Sequence, residues 1–114
     1  MIKFLKSFKY AFEGIVSSIK SERNVIVHFL IMILVIISGL YFHISKTEWL
    51  ICIILFGLVI SAELMNTAIE TTLNLCHPEK NDKVKLAKDV AAGSVLVTAI
   101  SAAIIGLLIF IPKI

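Results

Sequence analysis

The chain has 114 residues, 59% of them hydrophobic and 17% charged, with a mean hydropathy of +0.99. A chain this short can bury one modest core in water but cannot hide that much apolar surface, so a soluble globular domain is excluded and a membrane protein is expected. The net charge of +3 comes with no aromatic–basic platform, so no nucleic-acid partner is expected.

In chain order, residues 1–23 come first. Phe4, Phe8, Phe12, Ile15 and Ile19 share one helical face, with Lys6, Lys9, Glu13 and Lys20 opposite. This pattern predicts an amphipathic helix lying in the membrane interface. Lysines interrupt the segment throughout and no apolar run precedes a cleavage site, so it does not read as a signal peptide. Residues 25–42 carry no formal charge and predict a first span over 25–43. "HISKTE" follows as a tight turn. The charge-free run 49–62 would rise only about 21 Å as a helix, short of the roughly 30 Å hydrocarbon core. The second span is therefore predicted over 48–69, with its helix continuing to about residue 75. Pro78 marks the break into a polar stretch, 77–88, that holds a loop and the start of the third helix. Residues 90–112 predict the third span. The expected fold class is an all-α integral membrane protein forming a single membrane domain, with one interfacial helix and three transmembrane helices.

Lysine and arginine set the expected orientation. Lys3, Lys6, Lys9, Lys20 and Arg23 precede the first span, and Lys80, Lys83, Lys85 and Lys88 lie between the second and third. The first-to-second turn has only Lys46 and the tail only Lys113. The positive-inside bias then puts the N-terminus and the 77–88 segment in the cytoplasm and the C-terminus outside. Cys52 and Cys76 are too far apart along one helix to pair, and the three histidines are scattered, so no soft-metal site is expected. His28 reads as a hydrogen-bonding residue near the start of the first span. No Walker-type GxxxxGK[ST] is present, so any nucleotide chemistry uses another design.

The stretch "AELMNTAIETTLNL" carries the chemistry. Glu63, Asn66, Glu70 and Asn74 are spaced by three, four and four residues and fall within one narrow arc of a helix. Helix–helix glue would explain the amides, at about 1 kcal/mol or less each. It does not explain the acids, because a carboxylate within a span costs about 2.5–3.5 kcal/mol on insertion scales. The third helix opens with "KLAKDVAAGS": Lys85, Lys88 and Asp89, then small residues that let helices approach closely. "SERN" adds Glu22 before the first span. Oxygen-rich acids beside lysines suit Mg²⁺ and phosphate. The residues by themselves reach a polar, cation-competent interfacial site.

"AELMNTAIE" followed by "KLAKDVAAGSV" resembles the paired signature of the bacterial integral-membrane diacylglycerol kinase family, and the likeness covers essentially the whole chain. "ERN" with His28, and the closing "GLLIFIPK", look closer to its undecaprenol kinase branch than to the diacylglycerol kinases proper. The resemblance implies an ATP- and Mg²⁺-dependent lipid kinase of the bacterial cytoplasmic membrane, acting at the cytoplasmic face on undecaprenol or, alternatively, diacylglycerol. It implies that Glu63 is the general base and that Glu22 and Glu70 hold Mg²⁺. It places Tyr10, Asn66, Glu79, Lys80, Asn81, Lys88 and Asp89, with Glu22 and Glu70, at the nucleotide, and Ser94 with Glu63 at the lipid acceptor. It also implies a homotrimer whose active sites are shared between neighbouring subunits. A reading from a different class is a small oligomeric exporter with Glu63 as its proton or cation site. That reading calls for an isolated acid near mid-span, whereas here the acids concentrate at one interface.

Overall fold

The structure, a computed structural model, describes residues 2–114. Four α-helices follow one another: α1 (Ile2–Ser21), α2 (Arg23–Phe42), α3 (Lys46–Cys76) and α4 (Asp82–Phe110), with a final 3₁₀ turn over Ile111–Lys113. No strand occurs among the described residues. Three of the helices, α2, α3 and the α4 segment Asp82–Lys113, are long and apolar enough to cross a membrane. Their large side chains point outward: Leu34 is 63% exposed, Ile54 62% and Leu108 70%. In water such a surface would aggregate, but in a bilayer it faces lipid tails, and the helices satisfy their own backbone groups. This is a membrane protein.

Each helix end has a local cause. Between α1 and α2 only Glu22 leaves helical geometry, at φ −118° and ψ 114°, and its N–H donates to the Ser18 carbonyl at 2.8 Å. The Glu22 side chain makes no capping hydrogen bond, so its carboxylate stays available. Helix α2 stops where His43 turns left-handed (φ 52°) and donates its N–H to the Gly39 carbonyl, a common helix ending although usually built on glycine. Gly39 is required by its neighbour. A Cβ there would stand 2.6 Å from Cη2 of the Trp49 ring, closer than packing allows, so the indole lies directly on the backbone of α2. Ser45 and Glu48 then form a reciprocal capping box at the start of α3: the Ser45 N–H donates to Glu48 Oε1 (2.9 Å) and the Glu48 N–H to Ser45 Oγ (3.2 Å). At its far end α3 closes with the His77 N–H donating to the Leu73 carbonyl, and Pro78 prevents continuation. Asn81 caps α4, its Oδ1 accepting from the Lys83 N–H at 2.8 Å.

These turns make α2, α3 and α4 an antiparallel bundle. Helix α3 packs chiefly against α4 and less against α2, while α1 touches α2 and α3. Around the Ser45 turn, Ile44, Cys52 and Ile109 form a small core with Phe42, Trp49 and Phe110 packed on it. Lys113 Nζ donates to Glu48 Oε2 at 3.0 Å, tying the last turn of the chain to the start of α3. The start of α2, the end of α3 and the start of α4 therefore gather at the opposite end. At 31 residues, α3 is about 46 Å long, longer than the roughly 30 Å hydrocarbon core. A helix of that length exceeds the apolar layer, and its polar residues lie in its last turns.

Candidate active site

The polar stripe of α3 runs along this second end. Glu63 is its deepest member, 13 residues before the helix ends at Cys76, or about 20 Å along the axis. The side chain is only 3% exposed, and its Oε1 lies 3.1 Å from Nε2 of His28, itself 18% exposed. A buried carboxylate without a partner would be strongly disfavoured, and α2 supplies that partner. One turn on, Asn66 Nδ2 donates to Glu70 Oε1 over a long 3.4 Å. Asn66 Oδ1 is buried without any hydrogen-bond partner among the described residues. At the end of the stripe, Asn74 Oδ1 accepts from Lys88 Nζ at 2.5 Å, which joins α3 to the start of α4.

Two clefts are lined by the residues that bond to the ends of the stripe. An apolar one of about 470 Å³ lies between α2, α3 and α4, with His28 in its wall and Val35, Phe56, Ala103 and Phe110 further along it. A polar one of about 720 Å³ is walled by Glu79, Lys80, Asn81, Lys85, Lys88 and Asp89 among others. The first member of the stripe is thus bonded to a wall of the apolar cleft, and the last to a wall of the polar one. Along α3 the two points are roughly 16 Å apart. Within the polar cleft, Lys85 Nζ donates to Asp89 Oδ2 at 2.7 Å, ahead of the apolar run of α4.

The nucleotide residues expected from the sequence divide accordingly. Glu79, Lys80, Asn81, Lys88 and Asp89 line one cleft together. Asn66 and Glu70 stand on the stripe and line neither cleft. Tyr10, 61% exposed on α1, and the half-buried Glu22 line neither cleft. Ser94 lines neither as well, and its hydroxyl donates to the Ala91 carbonyl of its own helix at 2.7 Å. The Glu63–His28 pair was not anticipated from the sequence, although both residues were singled out separately.

No group of three or more His, Cys, Asp or Glu side chains converges among the described residues. Mg²⁺ does not ask for one, since it is ordinarily held by one or two carboxylates together with water and substrate phosphates. The donors present are of the right kind: the Glu70 carboxylate and, next to it, the unpartnered buried oxygen of Asn66. Cysteine contributes nothing here, as Cys52 and Cys76 are both free, the first buried in the far core and the second exposed.

Comparison with known proteins bears on the same arrangement. Residues 9–110 match the family described as prokaryotic diacylglycerol kinase. The chain is 44% identical over 111 residues to the undecaprenol kinase of Bacillus subtilis (strain 168), covering 97% of this chain and 90% of that protein. It is 33% identical over 109 residues to a diacylglycerol kinase of Synechocystis sp. (strain ATCC 27184 / PCC 6803 / Kazusa). That second match covers 95% of this chain but 62% of the longer relative. With a family match over most of its length and two kinases as relatives, the chain belongs to the prokaryotic diacylglycerol kinase family, a family of membrane lipid kinases.

Proposed function

We propose that the protein transfers the γ-phosphoryl group of ATP to the hydroxyl of undecaprenol, yielding undecaprenyl phosphate and ADP. The observation that carries this reading is the α3 stripe, bonded at one end to the wall of an apolar cleft and at the other to the wall of a lysine-bearing one. A lipid alcohol keeps its tail in apolar surroundings and its hydroxyl near the interface, while a nucleotide needs cations around its phosphates. The similarity to the Bacillus enzyme favours a polyisoprenol over diacylglycerol. An apolar cleft of 470 Å³ is the size of a pocket for a drug-sized ligand, so it takes only the hydroxyl-proximal part of a long tail and leaves the rest to the bilayer.

Glu63 takes the proton of the hydroxyl as its oxygen attacks the γ-phosphorus, and ADP departs with the electrons of the broken P–O bond. Lys80, Lys88, Asn81 and Asp89 hold the nucleotide from α4 and the preceding loop, with Glu79 beside them. Glu70, Asn66 and Glu22 would hold Mg²⁺, and Tyr10 would complete the nucleotide site from α1. When bound, the metal would offset phosphate charge. Ser94 would approach the acceptor, as the family resemblance implies. Tyr10, Glu22, Asn66 and Glu70 line neither cleft, and Asn66 Oδ1 lacks a partner among the described residues; both support a site completed across subunits, in a homotrimer. Helix α1 lies in the interface, with Phe4, Phe8 and Phe12 exposed on it and sunk into the headgroup layer. The lysine-rich end faces the cytoplasm, where ATP is found.

The deciding assay offers purified protein undecaprenol and diacylglycerol side by side in mixed micelles with labelled ATP. Faster phosphorylation of undecaprenol is expected, and a clear preference for diacylglycerol would reverse the substrate assignment. Cysteine-accessibility labelling should reach the 77–88 segment from the cytoplasmic side only, and active protein should have a trimer's mass by detergent-corrected light scattering. External labelling of that segment would invert the orientation, and an active monomer would remove the shared site.

A further inference from the structure

We propose that His28 is a positioning residue that fixes the Glu63 carboxylate for its encounter with the acceptor hydroxyl; this rests on the reading of Glu63 as the proton acceptor. The two side chains come from different helices and meet at 3.1 Å through Nε2 and Oε1. With Glu63 ionised, the imidazole donates its Nε2–H, which sets the ring tautomer. No other hydrogen bond reaches the Glu63 carboxylate among the described residues, and the neighbouring Thr67 hydroxyl bonds instead to the Glu63 backbone carbonyl.

A glutamate side chain has three torsions, so a carboxylate held by nothing would be spread over several rotamers. One bond from a fixed donor removes that freedom and leaves Oε2 for the substrate. His28 is such a donor. It lies three residues after Val25, which is 0% exposed, and residues at that spacing share a helical face. Val25 thus anchors the side of α2 from which the imidazole projects. The ring is also in the wall of the apolar cleft, whereas Glu63 does not line it. His28 therefore links the cleft wall to Oε1 and leaves Oε2 as the carboxylate oxygen without a hydrogen bond among the described residues.

The test is initial-rate kinetics of the full chain with undecaprenol and ATP for His28→Leu, His28→Gln, Glu63→Gln and the double variant His28→Leu/Glu63→Gln. His28→Leu should lower kcat about tenfold, within the roughly hundredfold that a 1 Å misplacement can cost, and leave KM for ATP unchanged. His28→Gln retains an N–H that can donate to the same oxygen and should recover most of the rate. In the Glu63→Gln background, His28→Leu should lower the rate no further. Wild-type turnover in His28→Leu beside an impaired Glu63→Gln would overturn the positioning role while leaving Glu63 as the acceptor. Equal loss in His28→Gln and His28→Leu would also overturn it, because the donor N–H would then not be what matters. A Glu63→Gln enzyme near the wild-type rate would instead remove the reading beneath the inference. Should His28→Leu fail to insert, the ¹⁵N signal of His28 Nε2 in the full-length protein decides. It should move between wild type and Glu63→Gln, and an unchanged signal would dissolve the pair.

Discussion

Replacing Glu63 with glutamine should leave a folded, membrane-inserted, nucleotide-binding protein that turns over at least about a hundredfold more slowly, the low end for loss of a general base. The amide oxygen of glutamine can still accept the Nε2–H that His28 offers at 3.1 Å, so the buried contact between α2 and α3 survives. What disappears is the ability to take a proton. Glu63 also lies one turn deeper than Asn66 and two deeper than Glu70 on the same arc. The phosphates and their counter-ions have no reason to reach that depth, while the hydroxyl of a membrane-held alcohol does. Glu63→Asp should keep part of the activity, because the carboxylate is retained but drawn back by one methylene from both His28 and the hydroxyl. Initial rates and nucleotide binding measured on the same preparations separate the alternatives. A near-normal rate in Glu63→Gln would exclude it as the base, and a parallel loss of nucleotide binding would move it to the ATP site.

The sequence carried the helices and the stripe for a simple reason. Charge-free runs of spanning length have few alternatives, and a three-four-four spacing aligns side chains on any helix. The meeting of His28 with Glu63 was half legible. From a turn centred near Ile44, the two residues lie 16 and 19 positions away, about 24 and 28 Å deep on antiparallel helices. Their similar depth could be computed, but their facing could not. Helix α2 is apolar almost all round, so its rotation is not written in hydrophobic periodicity. Close packing sets it instead: Trp49 lies on Gly39 at one end and Val25 is fully buried at the other. The Lys88–Asn74 bond has the same origin, since it depends on how α4 packs along α3. The family resemblance marks Tyr10 and Glu22, and that they line neither cleft could not be read from residue types.

Neutralising Glu70 should raise the Mg²⁺ concentration required for activity by about tenfold or more. Even a residue one shell removed from a metal typically accounts for about 10–100-fold in affinity or activity, and a direct ligand should cost no less. Glu70 is half-buried, and its only hydrogen bond among the described residues is the long one from Asn66. The carboxylate is therefore not committed to a structural partner, and Glu70→Gln can keep that contact through its amide oxygen. A purely structural role predicts little change. Glu22 makes the second arm of the experiment. Its side chain caps nothing although it occupies the N-cap of α2, so Glu22→Gln should leave the helix boundary intact and also shift the Mg²⁺ requirement upward. If the two carboxylates serve one ion carried with the nucleotide, the double variant should shift it less than the product of the separate effects, as coupled residues do. Rates titrated with Mg²⁺ at fixed free ATP provide the comparison. Wild-type Mg²⁺ dependence in both single variants would return Glu22 and Glu70 to solvated interfacial acids. A shift in Glu70→Gln alone would leave the metal with α3 and release Glu22 from it.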